Sequence, residues 1–284
     1  MPDTGIAVIG AGTMGRGIAY VALVAGHAVS LYDAEAEALG AALGRITGAF
    51  DKGIERGKVT AELRDAALAR LTVATELAGA LAGADVVIEA VPERIQLKRE
   101  VFRAAEERAP AGALLATNTS SLPVSSIADA VADPARVVGM HFFNPVPAMR
   151  LVEIVRGRET TDATVERARA FAESLGKVPI VVRDSPGFAT TRLGVVLGLE
   201  AVRMVEQGVA SPEDIDRAME LGYNHPMGPL RLGDLVGLDV RLAIADHLHA
   251  TLGGDTYRAP ELLRRMVTEG RLGQKSGEGF YRWS

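Results

Sequence analysis

The sequence of 284 residues contains no cysteine. This absence excludes disulfide bonds, thiolate nucleophiles and thiolate metal ligands. The five histidines show no spacing typical of a metal site, so no bound metal is expected. No run of lysine and arginine forms a basic patch, and the net charge of −5 argues against a nucleic-acid-binding surface.

Long apolar runs are also lacking. No window of 18 residues is both apolar and free of charged side chains, so no membrane span is expected. The first residues, MPDTGIAVIGAG, lack the charged segment that precedes the apolar part of a signal peptide. With 48% hydrophobic and 24% charged residues, the composition is that of an ordinary globular protein. These features predict a cytoplasmic protein without nucleic-acid or membrane partners.

The first two thirds of the chain alternate short apolar runs with longer amphipathic ones. This alternation predicts an α/β fold with a mostly parallel sheet that is covered on both faces. Helices are predicted over 95–108 and 162–174, and residues 34–70 are long enough for two helices that are broken around residues 57–60. Eight strands are predicted, over 6–10, 28–33, 71–75, 84–90, 113–118, 136–142, 150–155 and 178–182.

The pattern changes at Pro186 and Gly187, after which no strand pattern follows. We therefore predict a sheet domain over 1–185 and a smaller all-helical C-terminal domain over 186–284. Helices in the second domain are predicted over 189–206, 212–221, 230–252 and 260–269. Three glycines in or beside these helices predict close helix–helix contacts, within the chain or between subunits: Gly194, Gly198 and Gly222.

The segment IAVIGAGTMGRGIA follows the pattern G-x-G-x-x-G between a predicted strand and a predicted helix. In such a turn the glycines permit the sharp bend, the close approach of a pyrophosphate and tight helix packing. The second strand ends in Asp33, 18 residues beyond Gly15, where a carboxylate can accept hydrogen bonds from an adenosine ribose. Because that carboxylate repels a 2′-phosphate, NAD is predicted rather than NADP. The pattern indicates a Rossmann-type doubly wound sheet with the cofactor-binding residues Gly10, Gly12, Thr13, Met14, Gly15 and Asp33.

His141 and Glu153 lie in the segment GMHFFNPVPAMRLVEIV. By themselves they are more typical of a core histidine and an unrelated glutamate than of a reactive pair. A dinucleotide cofactor favours a reactive pair, because hydride transfer is accompanied by a proton and the sequence lacks a Tyr-x-x-x-Lys motif. The two prolines between them predict a turn that places Glu153 beside His141. A carboxylate there fixes the tautomer and stabilises the imidazolium, so we predict His141 as the general base.

Six segments of the chain resemble the L-3-hydroxyacyl-CoA dehydrogenase family, and within it the bacterial 3-hydroxybutyryl-CoA dehydrogenases. The resemblance runs in order from residue 5 to the C-terminus. It implies an NAD-dependent oxidoreductase that interconverts (S)-3-hydroxyacyl-CoA, of short chain length, and 3-oxoacyl-CoA in fatty acid metabolism, as in β-oxidation or butanoate metabolism. The segments are GAGTMGRGIA, NTSSLPVSSIA, HFFNPVPAMRLVEIV, DSPGF, MGPLRLGDLVGLDV and GQKSGEGFY.

The resemblance also implies roles for individual residues. His141 is the family's base, Glu153 orients it, and Ser120 binds the 3-oxygen of the substrate. Further cofactor contacts are implied at Glu93, Lys98, Asn144 and Lys275, although a solvated helix charge is the alternative for Lys98.

The helical pair after Asp33 resembles the family element that receives coenzyme A. Its cationic candidates for the 3′-phosphate are Lys52 and Arg56, with a solvated helix face as the alternative. The helical domain is expected to form a homodimer and to border the substrate cleft, as in the family.

Thr191 is a departure, because the family carries an asparagine at this position near the substrate thioester. The change bears on acyl-chain preference and leaves the His–Glu chemistry as predicted. Two other functions stay open: a related dehydrogenase of another 3-hydroxy acid such as gulonate, and a non-catalytic NAD-binding protein.

Overall fold

The computed structural model describes residues 4–283. The chain divides into two compact units, Met1–Asp184 and Ser185–Ser284. The first three residues, on which the signal-peptide interpretation partly depends, lie outside the described part. Within that part, no helix has the length and apolar character needed to cross a membrane.

The first unit contains one sheet of eight strands, in the order β3-β2-β1-β4-β5-β6-β7-β8. All eight predicted strands are present, which confirms the predicted fold class. Their bounds are β1 Gly5–Ile9, β2 Ala28–Tyr32, β3 Leu71–Ala74, β4 Val86–Glu89, β5 Leu114–Thr117, β6 Val137–Phe142, β7 Leu151–Arg156 and β8 Val178–Arg183.

Every neighbouring pair in this sheet is parallel except β6 and β7. Strand β1 lies between β2 and β4, so the chain runs outward from it in both directions. In such a doubly wound sheet, the crevice at the carboxyl ends of the strands beside this reversal is where ligands bind. All residues of the central strands β4 and β5 are buried, whereas the edge strand β8 contains four exposed and two half-buried residues.

Helices cover the sheet. Its strands are continuously apolar because a parallel sheet is buried on both faces. Two short helices, α4 and α6, are not predicted from the sequence. The helices of this unit are α1 Thr13–Val24, α2 Ala36–Glu55, α3 Ala61–Ala69, α4 Leu77–Leu81, α5 Ile95–Arg108, α6 Val124–Ala128 and α7 Asp162–Ser174, with a 3₁₀ turn at Pro134–Arg136.

The second unit is helical, and the single helix predicted over 230–252 is wrong. Gly237 interrupts it with a φ of 102°, a conformation that favours glycine, and thereby separates two helices. The helices are α8 Thr190–Glu206, α9 Pro212–Gly222, α10 Pro229–Val236, α11 Leu238–Leu252 and α12 Glu261–Thr268, with a 3₁₀ turn at Gln274–Ser276.

Of the three glycines predicted to allow close helix contacts, Gly198 does so within the chain. A Cβ on Gly198 would overlap the guanidinium of Arg241 on α11. The same guanidinium donates from Nη1 to the carbonyl of Gly194 at 2.8 Å. A Cβ built on Gly194 or Gly222 meets no atom of the described chain within 4 Å beyond its chain neighbours and the nearby backbone of its own helix. A contact of these two glycines with another subunit stays a prediction.

Candidate active site

His141 and Glu153 lie opposite each other on the antiparallel strands β6 and β7. The Nδ1 atom of His141 lies 2.7 Å from Oε2 of Glu153. His141 is 7% exposed and Glu153 is fully buried, so water screens the pair little. The ring of Phe143 packs against the imidazole with a centroid distance of 4.4 Å. The predicted turn therefore does bring the two side chains together.

Lys177 holds the turn between these strands. Its ammonium donates to the carbonyl oxygens of Val146 and Met149 at 2.5 and 2.8 Å. The side chain is buried, and this burial lowers the pKa of Lys177. This role of Lys177 is not predictable from the sequence, because a lysine after a helix is ordinarily a solvated charge.

The glycine-rich turn has the shape that a dinucleotide requires. Gly10 has a φ of 107°, and a Cβ there would meet the carbonyl oxygen of Ala90 at 2.6 Å. A Cβ on Gly15 would overlap the carbonyl oxygen of Gly10, so α1 can approach the turn only through glycine. By contrast, apart from Gly12 and its two chain neighbours, no atom of the described chain lies within 4 Å of a Cβ built on Gly12. The open space at Gly12, at the N-terminus of α1, fits a pyrophosphate.

Asp33 follows β2 and lies against this turn. Its Oδ2 accepts a hydrogen bond from the amide of Ala11 at 2.7 Å, and its Oδ1 accepts one from the amide of Glu35 at 3.0 Å. The carboxylate is thus held at the edge of the dinucleotide turn, where the ribose contact was predicted. The contact itself stays a prediction.

Glu93 organises the loop that carries Ser120. One carboxylate oxygen, Oε1, accepts from the Thr119 hydroxyl at 2.5 Å and from the amides of Ser120 and Ser121 at 3.0 and 3.1 Å. The other, Oε2, lies 3.2 Å from the ammonium of Lys98. Burial opposes ionisation of Glu93, but the charge of Lys98 and these donors lower its pKa.

Lys98 is 1% exposed, so the alternative of a solvated helix charge is wrong. Its ammonium lies 2.7 Å from Oε1 of Glu89, which is fully buried at the end of β4. The second oxygen of Glu89 accepts from the hydroxyl of Thr117 at 2.7 Å. Burial raises the pKa of Glu89, and the ammonium and these hydrogen bonds oppose that rise. A direct cofactor contact of Lys98 or Glu93 stays a prediction.

The strand register brings the predicted residues to one edge of the sheet. Ile9, Glu89, Thr117 and Gly139 are successive cross-strand partners on β1, β4, β5 and β6. The glycine turn follows β1, the Ser120 loop follows β5, and His141 lies two residues past Gly139. Asn144 follows β6 at the same edge.

Asn118 fastens this edge, because its Oδ1 accepts from the amide of Phe142 at 2.9 Å. Glu89, Asn118 and Thr119 are site residues that the sequence motifs do not predict. The available signal was polar residues at the ends of the buried strands VVIE and LLAT.

Lys52 and Arg56 line a cavity of about 740 Å³. Three further cationic residues line the same cavity: Lys58, Arg150 and Lys177. Pro145 and Pro147 of the turn between β6 and β7 also contribute to its wall. Clustered cations in a cavity of this size suit a ligand with several phosphate groups.

Thr191 and Lys275 belong to the second unit. Thr191 is the second residue of α8. The ammonium of Lys275 lies 2.6 Å from Oδ2 of Asp239 at the start of α11, and this hydrogen bond lowers the pKa of Asp239. The substrate and cofactor roles of these two residues stay predictions.

A glycine-lined turn at the topological reversal of a doubly wound sheet, with a histidine–carboxylate pair along the same edge, defines a dinucleotide-dependent oxidoreductase. Comparison with known families is more specific. Residues 5–185 match the NAD binding domain of 3-hydroxyacyl-CoA dehydrogenase, and residues 187–283 match its C-terminal domain. The chain belongs to the 3-hydroxyacyl-CoA dehydrogenase family, and its cofactor is NAD.

Individual relatives agree with this assignment. A probable 3-hydroxybutyryl-CoA dehydrogenase of Deinococcus radiodurans is 46% identical over 276 residues, which cover 97% of this chain and 99% of the relative. The crystal structure of FadB2 from Mycobacterium tuberculosis has a TM-score of 0.94 at 43% identity and full coverage of both chains. The (S)-3-hydroxybutyryl-CoA dehydrogenase PaaH1 of Ralstonia eutropha has a TM-score of 0.94 at 39% identity, with 98% of each chain covered.

Proposed function

We propose that this protein interconverts (S)-3-hydroxyacyl-CoA and 3-oxoacyl-CoA with NAD(H), with 3-hydroxybutyryl-CoA as the preferred substrate. The observation that carries the proposal is the buried His141–Glu153 pair at the cofactor edge of the sheet. The names of the relatives support the substrate class, since those from D. radiodurans and R. eutropha are 3-hydroxybutyryl-CoA dehydrogenases.

In the oxidative direction, His141 removes the proton from the 3-hydroxyl group. Its Nδ1 is engaged with Glu153, so Nε2 is the atom that takes the proton. The carboxylate of Glu153 stabilises the imidazolium that forms, and this stabilisation is large because the pair is buried. In the reductive direction, the same Nε2 returns the proton to the alkoxide.

NAD, when bound, supplies the acceptor for the hydride of substrate C3. The turn at Gly10–Gly15 would hold its pyrophosphate, and Asp33 would bind its adenosine ribose. Ser120 would bind the substrate 3-oxygen, and Asn144 would contact the nicotinamide part of the cofactor. Lys52 and Arg56 bind the phosphates of coenzyme A in the cationic cavity.

We also propose that the protein is a homodimer formed by the helical unit. Leu193, Leu221 and Tyr223 of this unit are 71%, 79% and 75% exposed. Large apolar side chains that are this exposed are typical of an association surface. Light scattering should give twice the mass of 29.9 kDa, and a monomer at micromolar concentration would contradict the dimer.

The central experiment is a kcat/KM series with 3-oxoacyl-CoA thioesters of increasing chain length. With NADH, we expect acetoacetyl-CoA to give the highest value, and we expect NADPH to be a poor substitute. Gulonate with NAD serves as the competing substrate. Turnover of gulonate without turnover of acetoacetyl-CoA would indicate the related hydroxy-acid enzyme, and NADH binding without any turnover would indicate a non-catalytic protein.

A further inference from the structure

A buried charge cluster connects the cofactor edge of the sheet to the loop that carries Ser120. Its centre is Lys98 on α5, which lies between two carboxylates. The ammonium is 2.7 Å from Glu89, at the end of β4, and 3.2 Å from Glu93. Lys98 and Glu89 are 1% and 0% exposed. A lysine buried to this extent is held in place by its charge partners.

Glu93 connects Lys98 to the loop that carries Ser120. While Lys98 holds its Oε2, its Oε1 accepts four hydrogen bonds, from the hydroxyls of Thr119 and Ser121 and from the amides of Ser120 and Ser121. The Thr119 hydroxyl in turn accepts from the amide of Leu122 at 2.9 Å. The ionised form of Glu93 is the better acceptor for these donors, and the nearby ammonium favours that form.

The loop is also tied to the strand of the general base. Asn118, two residues before Ser120, accepts from the amide of Phe142, which follows His141 directly. The Ser120 loop therefore has two anchors. One is Asn118 on the His141 strand, and the other is Glu93, whose orientation depends on Lys98.

We propose that Lys98 is a positioning residue for Ser120, acting through Glu93, and that Glu89 is the buried counter-charge that anchors the ammonium. This differs from the direct cofactor contact that the family resemblance implies for Lys98. The inference rests on the proposed function, because it assigns Ser120 to the substrate 3-oxygen. A shift of about 1 Å in a positioning group can cost roughly 100-fold in rate, so loss of the Glu93 anchor should be visible in kcat.

The test compares four variants with the wild type: Lys98→Met, the double variant Lys98→Met with Glu89→Gln, Ser120→Ala, and Ser120→Ala combined with Lys98→Met. The Glu89→Gln change removes the charge that Lys98→Met would leave buried and unpaired, so the double variant tests the proposal even if the single one does not fold. The matched control is Arg103→Met, an exposed position on the same helix.

Three measurements separate the possibilities. We expect kcat to fall about 100-fold in the Lys98 variants while the Kd for NADH changes less than about 3-fold. In the Ser120→Ala background, Lys98→Met should lower kcat by less than about 3-fold, because the residue it positions is already gone. Amide exchange at Ser120 and Ser121, followed by mass spectrometry without substrate, should accelerate in the Lys98 variants and not in Arg103→Met.

If the Kd for NADH in the Lys98 variants rises by the same factor by which kcat/KM falls, Lys98 is a cofactor contact and the proposal is overturned. The proposal would also be overturned if Lys98→Met lowered kcat by the same factor with and without Ser120→Ala. Amide exchange at Ser120 and Ser121 that is unchanged in the Lys98 variants would have the same consequence. A failure of the proposed function is distinguishable, because it would appear as absent turnover in the wild type. The exchange and NADH-binding measurements would then still report on the Lys98 cluster.

Discussion

Both units of this protein bury carboxylates, but the groups that face them differ. In the sheet unit, Glu153 faces His141 and Glu89 faces Lys98. In the helical unit, Asp234 accepts from the amides of Phe280 and Tyr281 and from the indole of Trp283, at 2.9 to 3.0 Å.

Asp216 repeats the pattern of the helical unit. It accepts from the amides of Leu230 and Arg231, both at 2.8 Å, in the first turn of α10. It also accepts from the hydroxyl of Tyr281 at 2.7 Å. Burial, and then this carboxylate, raise the pKa of Tyr281, so the phenol stays a donor at neutral pH. Asp216 and Asp234 thus fasten the start of α10 and the C-terminal segment.

The role of a buried carboxylate depends on the groups that face it. Amide, indole and phenol donors satisfy a carboxylate without exchanging protons at neutral pH, so such an acid stabilises architecture. Imidazole can gain and lose a proton near neutral pH, so an acid beside it supports chemistry. A substitution at the histidine–carboxylate pair of the sheet unit should therefore lower activity more than stability. A substitution at a buried acid of the helical unit should lower stability more than activity.

The largest expected effect is that of His141→Gln. If His141 is the general base, as we propose, its loss should lower kcat by about 10³-fold, within the range for general acid–base catalysis. Glutamine can still donate an N–H to Glu153, so thermal stability and the Kd for NADH should stay close to wild type. Steady-state kinetics with acetoacetyl-CoA and NADH titration would check this. Turnover near the wild-type value would remove His141 from the mechanism.

Asp234→Asn should have the opposite profile. The new amide group would point an N–H at donors that now meet a carboxylate, which costs about 1–3 kcal/mol of unfolding free energy. Urea denaturation followed by circular dichroism measures the loss. Asp255→Asn is the control, since that side chain is 81% exposed. Equal stability of the two variants would show that the buried acid of the helical unit is not architectural.

Asp33→Ala extends the comparison, because Asp33 lies in the sheet unit but accepts hydrogen bonds from backbone amides, those of Ala11 and Glu35. Loss of a ribose contact should weaken NADH binding by about tenfold, near 1.4 kcal/mol. It should also reduce the preference for NADH over NADPH. Fluorescence titration with both dinucleotides measures the two affinities. An unchanged affinity for NADH would refute the ribose assignment.

The strands were predictable because parallel strands with both faces covered must be apolar throughout. The His141–Glu153 contact was predictable because two prolines interrupt a sheet between the two residues. The helix over 230–252 was predicted wrongly, since its apolar spacing continues through Gly237 and the sequence pattern does not reveal the φ of 102° there. Backbone conformation at a glycine depends on what surrounds it.

The burial of Lys98 could not be predicted from the pattern of charged residues. In RIQLKREVF it stands among other charged residues and resembles a solvated position on an amphipathic helix. The structure buries it against Glu89, nine residues earlier in the chain. Side-chain burial depends on how α5 lies against β4, and hydrophobic spacing defines a helix face only approximately.

The amino-acid sequence by itself determined the sheet, the dinucleotide turn and the family, because each depends on residue types at short, regular spacings. Only the tertiary structure decided which charges are buried together, including Lys98 with Glu89 and Glu93, and Lys177 with the turn after His141. These contacts join residues on separate elements. Their energies depend on distance and on exclusion of water, and both are properties of the packed chain.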